Sequence, residues 1–223
     1  INRQRSGERL PSRTVGISID DAYQSIYDEA WPRLKDAGFP FTLFVSTDPI
    51  DAGYDGVMSW NQIREMQKDG VTIGAHTSSH LHMNFQSPKR LYNELNHSNN
   101  RFKEELGDIP TLFAYPYGET SLTIETIVKE TGYVAAFGQH SGAFSGDDNP
   151  FNLPRFPMNE KYGNIGRFKT AINSLALSVI DITPLDSLIS NENPPAMGFT
   201  LKNDMPRKND LSCFLSHAGK AEV

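Results

Sequence analysis

Cysteine is almost absent from this sequence of 223 residues, in which Cys213 is the only one. A single thiol excludes an internal disulfide and a metal site built from several thiolates. Long apolar runs are also missing, and none approaches the roughly 18 residues that suggest a membrane-spanning helix. Excess positive charge is missing too, because the formal net charge is −6, which argues against nucleic acid as a partner.

No stretch has the charged, apolar and small-residue order of a signal peptide. The first residue is Ile1 rather than Met, so an export signal could have been removed ahead of it. Residues 1–13 hold four arginines and are interpreted as a solvated N-terminal arm. A chain of this length can bury a core, and it fits one α/β domain or one domain with a small appendage.

Between residues 14 and 137, β-rich apolar segments alternate with segments of helical periodicity. Helix ends are marked by local signals, such as Ser87 before Pro88 at a start and Gly107 at a stop. Strands that alternate with helices imply a parallel sheet or barrel with right-handed crossovers, so the predicted fold class is α/β. Five strands are predicted, at residues 14–19, 41–45, 71–73, 111–115 and 133–137.

The pattern changes after Ser174. The remaining residues, 175–223, contain several prolines with many Asn, Asp and Ser, and short apolar runs such as Met197–Leu201. A few strands and loops are expected there, either as an extension that wraps the first domain or as the start of a β-rich second one. The predicted boundaries are therefore an arm at 1–13, a domain at 14–174 and a β-rich extension at 175–223.

Polar residues follow several of the predicted strands, at the ends where parallel folds place their sites. They are Asp20 with Asp21, the stretch His76–His80, the stretch Tyr115–Tyr117, and His140. Because the carboxyl ends of parallel strands meet at one edge of the sheet, all four groups are expected to converge there.

Zinc in catalytic sites usually takes three nitrogen or oxygen ligands and keeps one position open. Asp21, His76 and His80 would supply that set, and a spacing of four puts both imidazoles on the same side of a helical turn. In helical zinc proteases the base directly follows the first histidine, but here that residue is Thr77. Asp20 is the candidate base instead, because a divalent ion lowers the pKa of its water towards about 7 and a nearby carboxylate can complete the deprotonation.

Each part of this pattern also has a simpler interpretation. An isolated His-x-x-x-His is a weak metal signal, and Asp-Asp after a strand is more often a turn or a helix cap. His82, just past the motif, is interpreted as a rim residue rather than a fourth ligand. The combination of both elements at strand ends is what favours a metal site.

With three motifs in this order, the sequence resembles the NodB-type polysaccharide deacetylases, carbohydrate esterases that remove N-acetyl groups from amino sugars. The family's Thr-Phe-Asp-Asp-Gly corresponds to Ser18–Ala22, its His-Ser/Thr-x-x-His to His76–His80, and its Arg-x-Pro-Tyr/Phe-Gly to Ala114–Gly118. The second motif matches fully and the other two match in part. The resemblance covers residues 14–174.

The resemblance implies a deformed (β/α) barrel and a metal-dependent deacetylase acting on a poly- or oligosaccharide that contains N-acetylglucosamine. By position, Asp20 would be the base, and Asp21, His76 and His80 would bind a divalent metal, Zn²⁺ first, with Co²⁺ or Ni²⁺ as alternatives. The backbone N–H of Tyr117 would hold the oxyanion. The expected partner is an N-acetylated glycan, and that substrate class favours an extracytoplasmic location.

The sequence departs from the family pattern in three places. Ala22 replaces the first motif's glycine, and Ala114 stands where the family has an arginine that pairs with the catalytic carboxylate. Arg155 is either the replacement for that arginine or an ordinary surface residue. The family's general acid comes from a Leu-x-His motif without a clean copy here, so His140 is preferred, His217 is the alternative, and neither is the third possibility.

Two rival functions would keep the same fold. One is an amidase or imidase that acts on a small molecule at the same metal, and the other is a catalytically silent carbohydrate-binding relative. Tyr54, Trp60, Phe85 and Tyr117 lie near the motifs in sequence and could stack on sugar faces, or else belong to the core.

Overall fold

The computed structural model describes residues 6–8, 10–11, 14–189, 194–202 and 211–212, together with the backbone of 215–217 and 220–222. Five parallel strands form one sheet whose spatial order follows the chain, and the sheet curls into a half-barrel. The predicted α/β fold with a β-rich C-terminal extension is confirmed. The strands are β1 (Ser18–Asp20), β2 (Thr42–Val45), β3 (Thr72–Ala75), β4 (Leu112–Ala114) and β5 (Ala135–Phe137).

Helices fill the connections between the strands and continue beyond the last one. A π-helical segment, Ile26–Ala30, directly precedes the first α-helix, Trp31–Asp36. Pro32 lies in the first turn of that α-helix, where a missing backbone N–H is tolerated. The α-helices are α1 (Trp31–Asp36), α2 (Thr47–Asp51), α3 (Trp60–Lys68), α4 (Pro88–Leu106), α5 (Leu122–Glu130) and α6 (Ile165–Ile172).

The ends of the longer helices follow local sequence signals. The hydroxyl of Ser87 accepts the Arg90 N–H at the start of α4, and Gly107 ends that helix with a left-handed φ of 82°. Ser59 and Gln62 form a reciprocal capping box at the start of α3. These side chains satisfy backbone donors that a helix start would otherwise leave unpaired.

The core lies between the sheet and the helices packed against it. Leu43 and Phe113 on the strands, and Leu95 and Phe102 on α4, are fully buried. Burying a side chain of this kind stabilises the fold by about 1.5–3 kcal/mol. The helices therefore hold the strands firmly, and the loops at the strand ends are carried on a rigid base.

The region after the sheet forms α6 and then antiparallel strand pairs. They are β6 (Val179–Thr183) with β7 (Gly198–Leu201), and β8 (Leu215–His217) with β9 (Lys220–Glu222). The Ser187 hydroxyl donates to the Thr120 carbonyl at 2.8 Å, which attaches this extension to the start of α5. Among the helices in the described ranges, none is both long and apolar enough to cross a membrane.

Candidate metal and catalytic site

The groups that follow the strands lie at one edge of the sheet. Asp20 ends β1 and pairs in register with Phe44 of β2. The N–H of His76, directly after β3, donates to the carbonyl of Val45 at the end of β2. The turn Pro116–Gly118 follows β4 in the same way. Parallel pairing thus brings segments that are distant in sequence to the same edge.

Asp21, His76 and His80 form a compact cluster at this edge. The Asp21 Oδ1 atom is 3.6 Å from His76 Nε2 and 3.4 Å from His80 Nε2. One donor atom from each residue can be chosen so that all three lie within 4.8 Å of one another. Two imidazole nitrogens and one carboxylate oxygen form a set that suits several divalent ions.

The orientation of His76 is fixed by the backbone. Its Nδ1 lies 2.7 Å from the Ala114 carbonyl oxygen, which can only accept, so Nδ1 carries the proton and Nε2 keeps a free lone pair. Burial lowers the pKa of His76, opposed by the nearby charge of Asp20. A neutral imidazole with a free Nε2 is the form that a metal requires, so this histidine fits the role.

The loop that carries the two histidines is not helical, and the predicted helical turn is wrong. Thr77 and His80 adopt left-handed φ values of 63° and 54°. The loop reverses between them, and it brings the imidazole centroids of His76 and His80 to 4.9 Å. The spacing of four residues correctly predicted that His76 and His80 lie close together, but the backbone brings them together through a loop with two left-handed residues and not through a helical turn.

Asp20 lies beside the cluster and is held by Arg155. The guanidinium donates to both carboxylate oxygens, at 2.7 and 2.8 Å, and also to the Gly138 carbonyl at 2.8 Å. Burial, the largest effect, raises the pKa of Asp20, but hydrogen bonds and charge from Arg155 outweigh it, so the pKa lies below its ordinary value. The carboxylate is therefore ionised and fixed in orientation.

Tyr117 lies at the centre of a strained turn. Its φ is 60°, and the next residue, Gly118, has a φ of 71° with the Gln139 backbone nitrogen only 2.6 Å from where a Cβ would be. Only glycine fits there. The Tyr117 ring stacks on His82 with centroids 3.9 Å apart and meets His80 edge-on at 4.6 Å. The turn is thus packed directly against the histidine loop.

The two histidines considered as general acids are placed differently. His140 follows β5, its carbonyl accepts the Arg155 N–H at 3.0 Å, and its ring covers Gly138. Burial lowers the pKa of His140. Within the described residues, no ion pair joins its ring to Asp20 or Asp21. His217 ends β8, and its side chain lies outside the described part of the chain.

Sequence reasoning missed three contributors to this edge. Tyr23 is about half exposed, and the charge of Asp21 raises its pKa, so its phenol lies near the cluster of Asp21, His76 and His80. Its position two residues after Asp21 was an available signal. Glu119 bonds His82 at 2.9 Å and Glu94 supports the histidine loop, although neither belongs to a recognisable motif.

Ala22, where the family motif has a glycine, and Trp60, a candidate rim residue, are both buried. Ala22 has a φ of 53° and is fully buried, so the alanine occupies the left-handed conformation that glycine adopts freely, at a cost of about 1 kcal/mol. Trp60 is 9% exposed and packs on Phe102, so it belongs to the core and not to a sugar-binding rim.

The half-barrel and this cluster define an α/β protein with a candidate metal centre at the carboxyl edge of its sheet. Residues 7–136 match the polysaccharide deacetylase family, and the chain belongs to that family.

Similar proteins cover much of the chain. YxkH of Bacillus subtilis is 30% identical over 149 residues, which are 66% of this chain and 53% of that protein. A Staphylococcus aureus poly-beta-1,6-N-acetyl-D-glucosamine N-deacetylase is 24% identical over 164 residues, 68% of this chain and 57% of the relative. The chain therefore spans a little over half the length of these relatives.

The fold is shared with solved deacetylase structures. The Streptococcus pyogenes deacetylase PplD in complex with acetate superposes with a TM-score of 0.71 at 21% identity. The superposition covers 77% of this chain and 75% of that one.

Proposed function

We propose that this chain is a metal-dependent hydrolase that removes the acetyl group from N-acetylglucosamine residues of a poly- or oligosaccharide. The observation that carries the proposal is the Arg155-paired carboxylate of Asp20 beside the cluster of Asp21, His76 and His80. Family membership supports deacetylation, and the name of the Staphylococcus aureus relative supports a glycan of N-acetylglucosamine as the substrate class.

The metal ligands in this proposal are Asp21, His76 and His80, with zinc as the first candidate and cobalt or nickel as alternatives. When bound, the cation would supply Lewis-acid polarisation of the acetyl carbonyl and of the attacking water. His76 is prepared for this role by the Ala114 carbonyl, which fixes its tautomer.

Asp20 is proposed as the general base. It takes one proton from the attacking water as the water oxygen bonds to the acetyl carbon. Arg155 keeps the carboxylate ionised and directs its oxygens, so it positions the base. Arg155 would thus supply the charge that the family takes from the position of Ala114.

The negative charge that develops on the acetyl oxygen needs a fixed donor. The backbone N–H of Tyr117 is proposed for this role, since a preorganised N–H aimed at developing charge is a large contribution in acyl transfer. The bond between the acetyl carbon and the sugar nitrogen then breaks, and the nitrogen takes a proton from a histidine. His140 is preferred and His217 is the alternative. The products are acetate and a free amine.

The sugar chain is proposed to lie along exposed aromatic rings beside the cluster. Tyr117, His82 and Phe85 form a continuous row, with Tyr117 and His82 stacked and the His82 and Phe85 centroids 5.8 Å apart. Phe85 is 79% exposed. Aromatic faces suit the C–H faces of sugars, so the row would hold a residue next to the one that loses its acetyl group.

The catalytic unit is proposed to be residues 14–174, with 1–13 as an arm and 175–223 as an extension. The extension contacts the unit at the start of α5, where the Leu122 N–H donates to Asp186 at 3.3 Å. Leu122 follows the turn Pro116–Gly118 closely in the sequence, so the extension would support the rim of the site.

Acetate release from N-acetylglucosamine oligomers tests the proposal. The zinc- or cobalt-loaded protein is incubated with β-1,4- or β-1,6-linked oligomers and, in parallel, with small cyclic imides and amides. Acetate from an oligomer, lost in Asp20→Ala, supports the proposal. Turnover of imides alone would assign the site to small molecules, and intact metal binding without any turnover would indicate a silent relative.

A further inference from the structure

A buried carboxylate lies beneath the histidine loop. Glu94 lies in the first half of α4 and is 2% exposed, whereas Tyr92 is half-buried and Asn93 is exposed. A buried charge is costly unless it is paired and hydrogen-bonded. The partners of Glu94 therefore show what it stabilises.

One oxygen of Glu94 accepts three hydrogen bonds from the loop. The donors are the Ser78 N–H at 3.1 Å, the Ser79 N–H at 2.6 Å and the Ser79 hydroxyl at 2.7 Å. Successive backbone N–H groups that converge on one acceptor form an anion-binding concavity, and here the anion is part of the protein. The other Glu94 oxygen pairs with Arg90 at 3.0 Å.

The bonded serines lie between two strained residues. Thr77 and His80, on either side of Ser78 and Ser79, both have positive φ, a conformation that costs of order 1–3 kcal/mol per residue and persists only with support from its surroundings. Hydrogen bonds from Ser46 to the His76 carbonyl and from Ser98 to the Thr77 carbonyl add to that support. The Asp48 carboxylate accepts the Ser78 hydroxyl, whereas the Glu94 carboxylate binds both serines and accepts both of their backbone N–H groups.

We propose that Glu94 is a positioning residue whose buried carboxylate holds the His76–His80 loop in the shape that brings both imidazoles to Asp21. The consequence for metal affinity rests on the proposed function. The consequence for the loop itself does not, because Glu94 contacts Ser78 and Ser79 and not the proposed metal ligands. Two measurements can therefore separate the proposals.

The first measurement is zinc affinity, determined on metal-free protein by competition with a chromophoric chelator. Glu94→Gln keeps the size of the side chain but removes the charge, and charge-assisted hydrogen bonds are roughly twice as strong as neutral ones. Zinc binding is expected to weaken about 10- to 100-fold, as for other groups that orient metal ligands. The matched control is Glu104→Gln on the same helix, where the glutamate side chain is 63% exposed and an unchanged affinity is expected.

The second measurement is hydrogen exchange of the Ser78 and Ser79 amides in the metal-free proteins. Glu94→Gln is expected to speed exchange at both amides at least about tenfold, in proportion to the lost stability of the closed loop. Glu104→Gln should leave both rates unchanged. Faster exchange supports the proposal even if wild-type protein binds no zinc, in which case the proposed metal function fails by itself.

A second variant covers the case in which Glu94→Gln does not fold. Ser79→Ala removes one of the three hydrogen bonds at an exposed residue, and it is expected to speed exchange at the Ser78 amide about threefold or more. The proposal is overturned if a folded Glu94→Gln has wild-type exchange at both amides. It is equally overturned if Glu94→Gln unfolds and Ser79→Ala exchanges like wild type.

Discussion

The guanidinium of Arg155 donates hydrogen bonds to both carboxylate oxygens of Asp20, although Arg155 and Asp20 are 135 residues apart in the sequence. Their side chains are 14% and 19% exposed, so the pair is largely shielded from water. Arg155 also donates to the hydroxyl of Ser18, the first residue of β1, and to the carbonyl of Gly138, directly after β5. A single arginine thus connects the two edge strands of the curled sheet, β1 and β5, at the proposed base.

Replacing Arg155 tests this arrangement through pH. In Arg155→Gln the burial of Asp20 remains, but the hydrogen bonds and charge by which Arg155 lowers the pKa of Asp20 are lost, so that pKa rises. A protonated carboxyl cannot accept a proton, and the acidic limb of kcat/KM should therefore move to higher pH. Activity near pH 6 is expected to fall about tenfold or more, and less at pH 8. Arg33→Gln, at an exposed surface arginine, is the control. An unshifted acidic limb would contradict the role of Arg155.

The identity of the general acid can be decided by two substrates. Loss of the acid should slow release of a sugar amine about 10²–10⁴-fold, because that leaving group needs a proton. Release of 4-nitrophenolate from 4-nitrophenyl acetate needs none and should change little. We expect His140→Ala to show this difference and His217→Ala to behave like wild type. The reverse result would assign the acid to His217, and no effect from either would exclude both.

The aromatic row predicts a defect in binding rather than in chemistry. Phe85→Ala is expected to raise KM for an N-acetylglucosamine oligomer about three- to tenfold, the effect of losing one aromatic contact, with kcat unchanged. Phe39→Ala is the matched control, because Phe39 is 57% exposed and precedes β2 at the opposite edge of the sheet. Equal KM values for Phe85→Ala and wild type would remove Phe85 from the substrate path.

Glu125 predicts a pH dependence of stability. Burial, the largest effect, and the charge of Asp186 raise its pKa above the usual 4.5, against a hydrogen bond from Asn149. The folded protein therefore holds this proton more tightly than the unfolded chain does. The contribution of Glu125 to stability is therefore most favourable at acid pH and is lost as pH rises through the interval between its unfolded and folded pKa values.

In Glu125→Gln the side chain cannot ionise, so the loss of stability that accompanies ionisation of Glu125 is absent. The free energy of unfolding of this variant should exceed that of wild type near pH 7, and the difference should disappear below about pH 4. Urea unfolding across this range measures the effect, with Glu160→Gln at an exposed glutamate as the control. Wild-type and Glu125→Gln curves that stay parallel at all pH values would be inconsistent with the raised pKa.

Much of the scaffold follows from local sequence signals. The strands are apolar runs flanked by Gly, Pro and polar residues, and the cap at Ser87 and the stop at Gly107 mark α4 closely. Placing polar residues after strands then predicts their common edge without knowledge of the register. The helix α6 was not predicted, and its larger apolar side chains, such as Ile165 and Phe168, are exposed.

The details of the site depend on contacts that periodicity does not encode. The positive φ values of Thr77 and His80 arise from a loop held by the rest of the fold, so spacing alone suggested a helix. Glu94 lies between Asn93 and Leu95 in the sequence, and a glutamate inside a helix resembles a solvated position. Arg155 could be named as a candidate from the missing arginine at Ala114, but its pairing depends on how far the sheet curls.

Zinc titration with simultaneous detection of acetate tests the central claim most directly. Zinc is added to metal-free wild type and to Asp20→Asn in the presence of an N-acetylglucosamine oligomer, and bound zinc and released acetate are both measured. Acetate release by wild type should rise with zinc and saturate near one equivalent per chain. Asp20→Asn should bind the same equivalent and release acetate about 10²–10⁴ times more slowly. Equal release with and without zinc, or equal rates in the two proteins, would contradict the account.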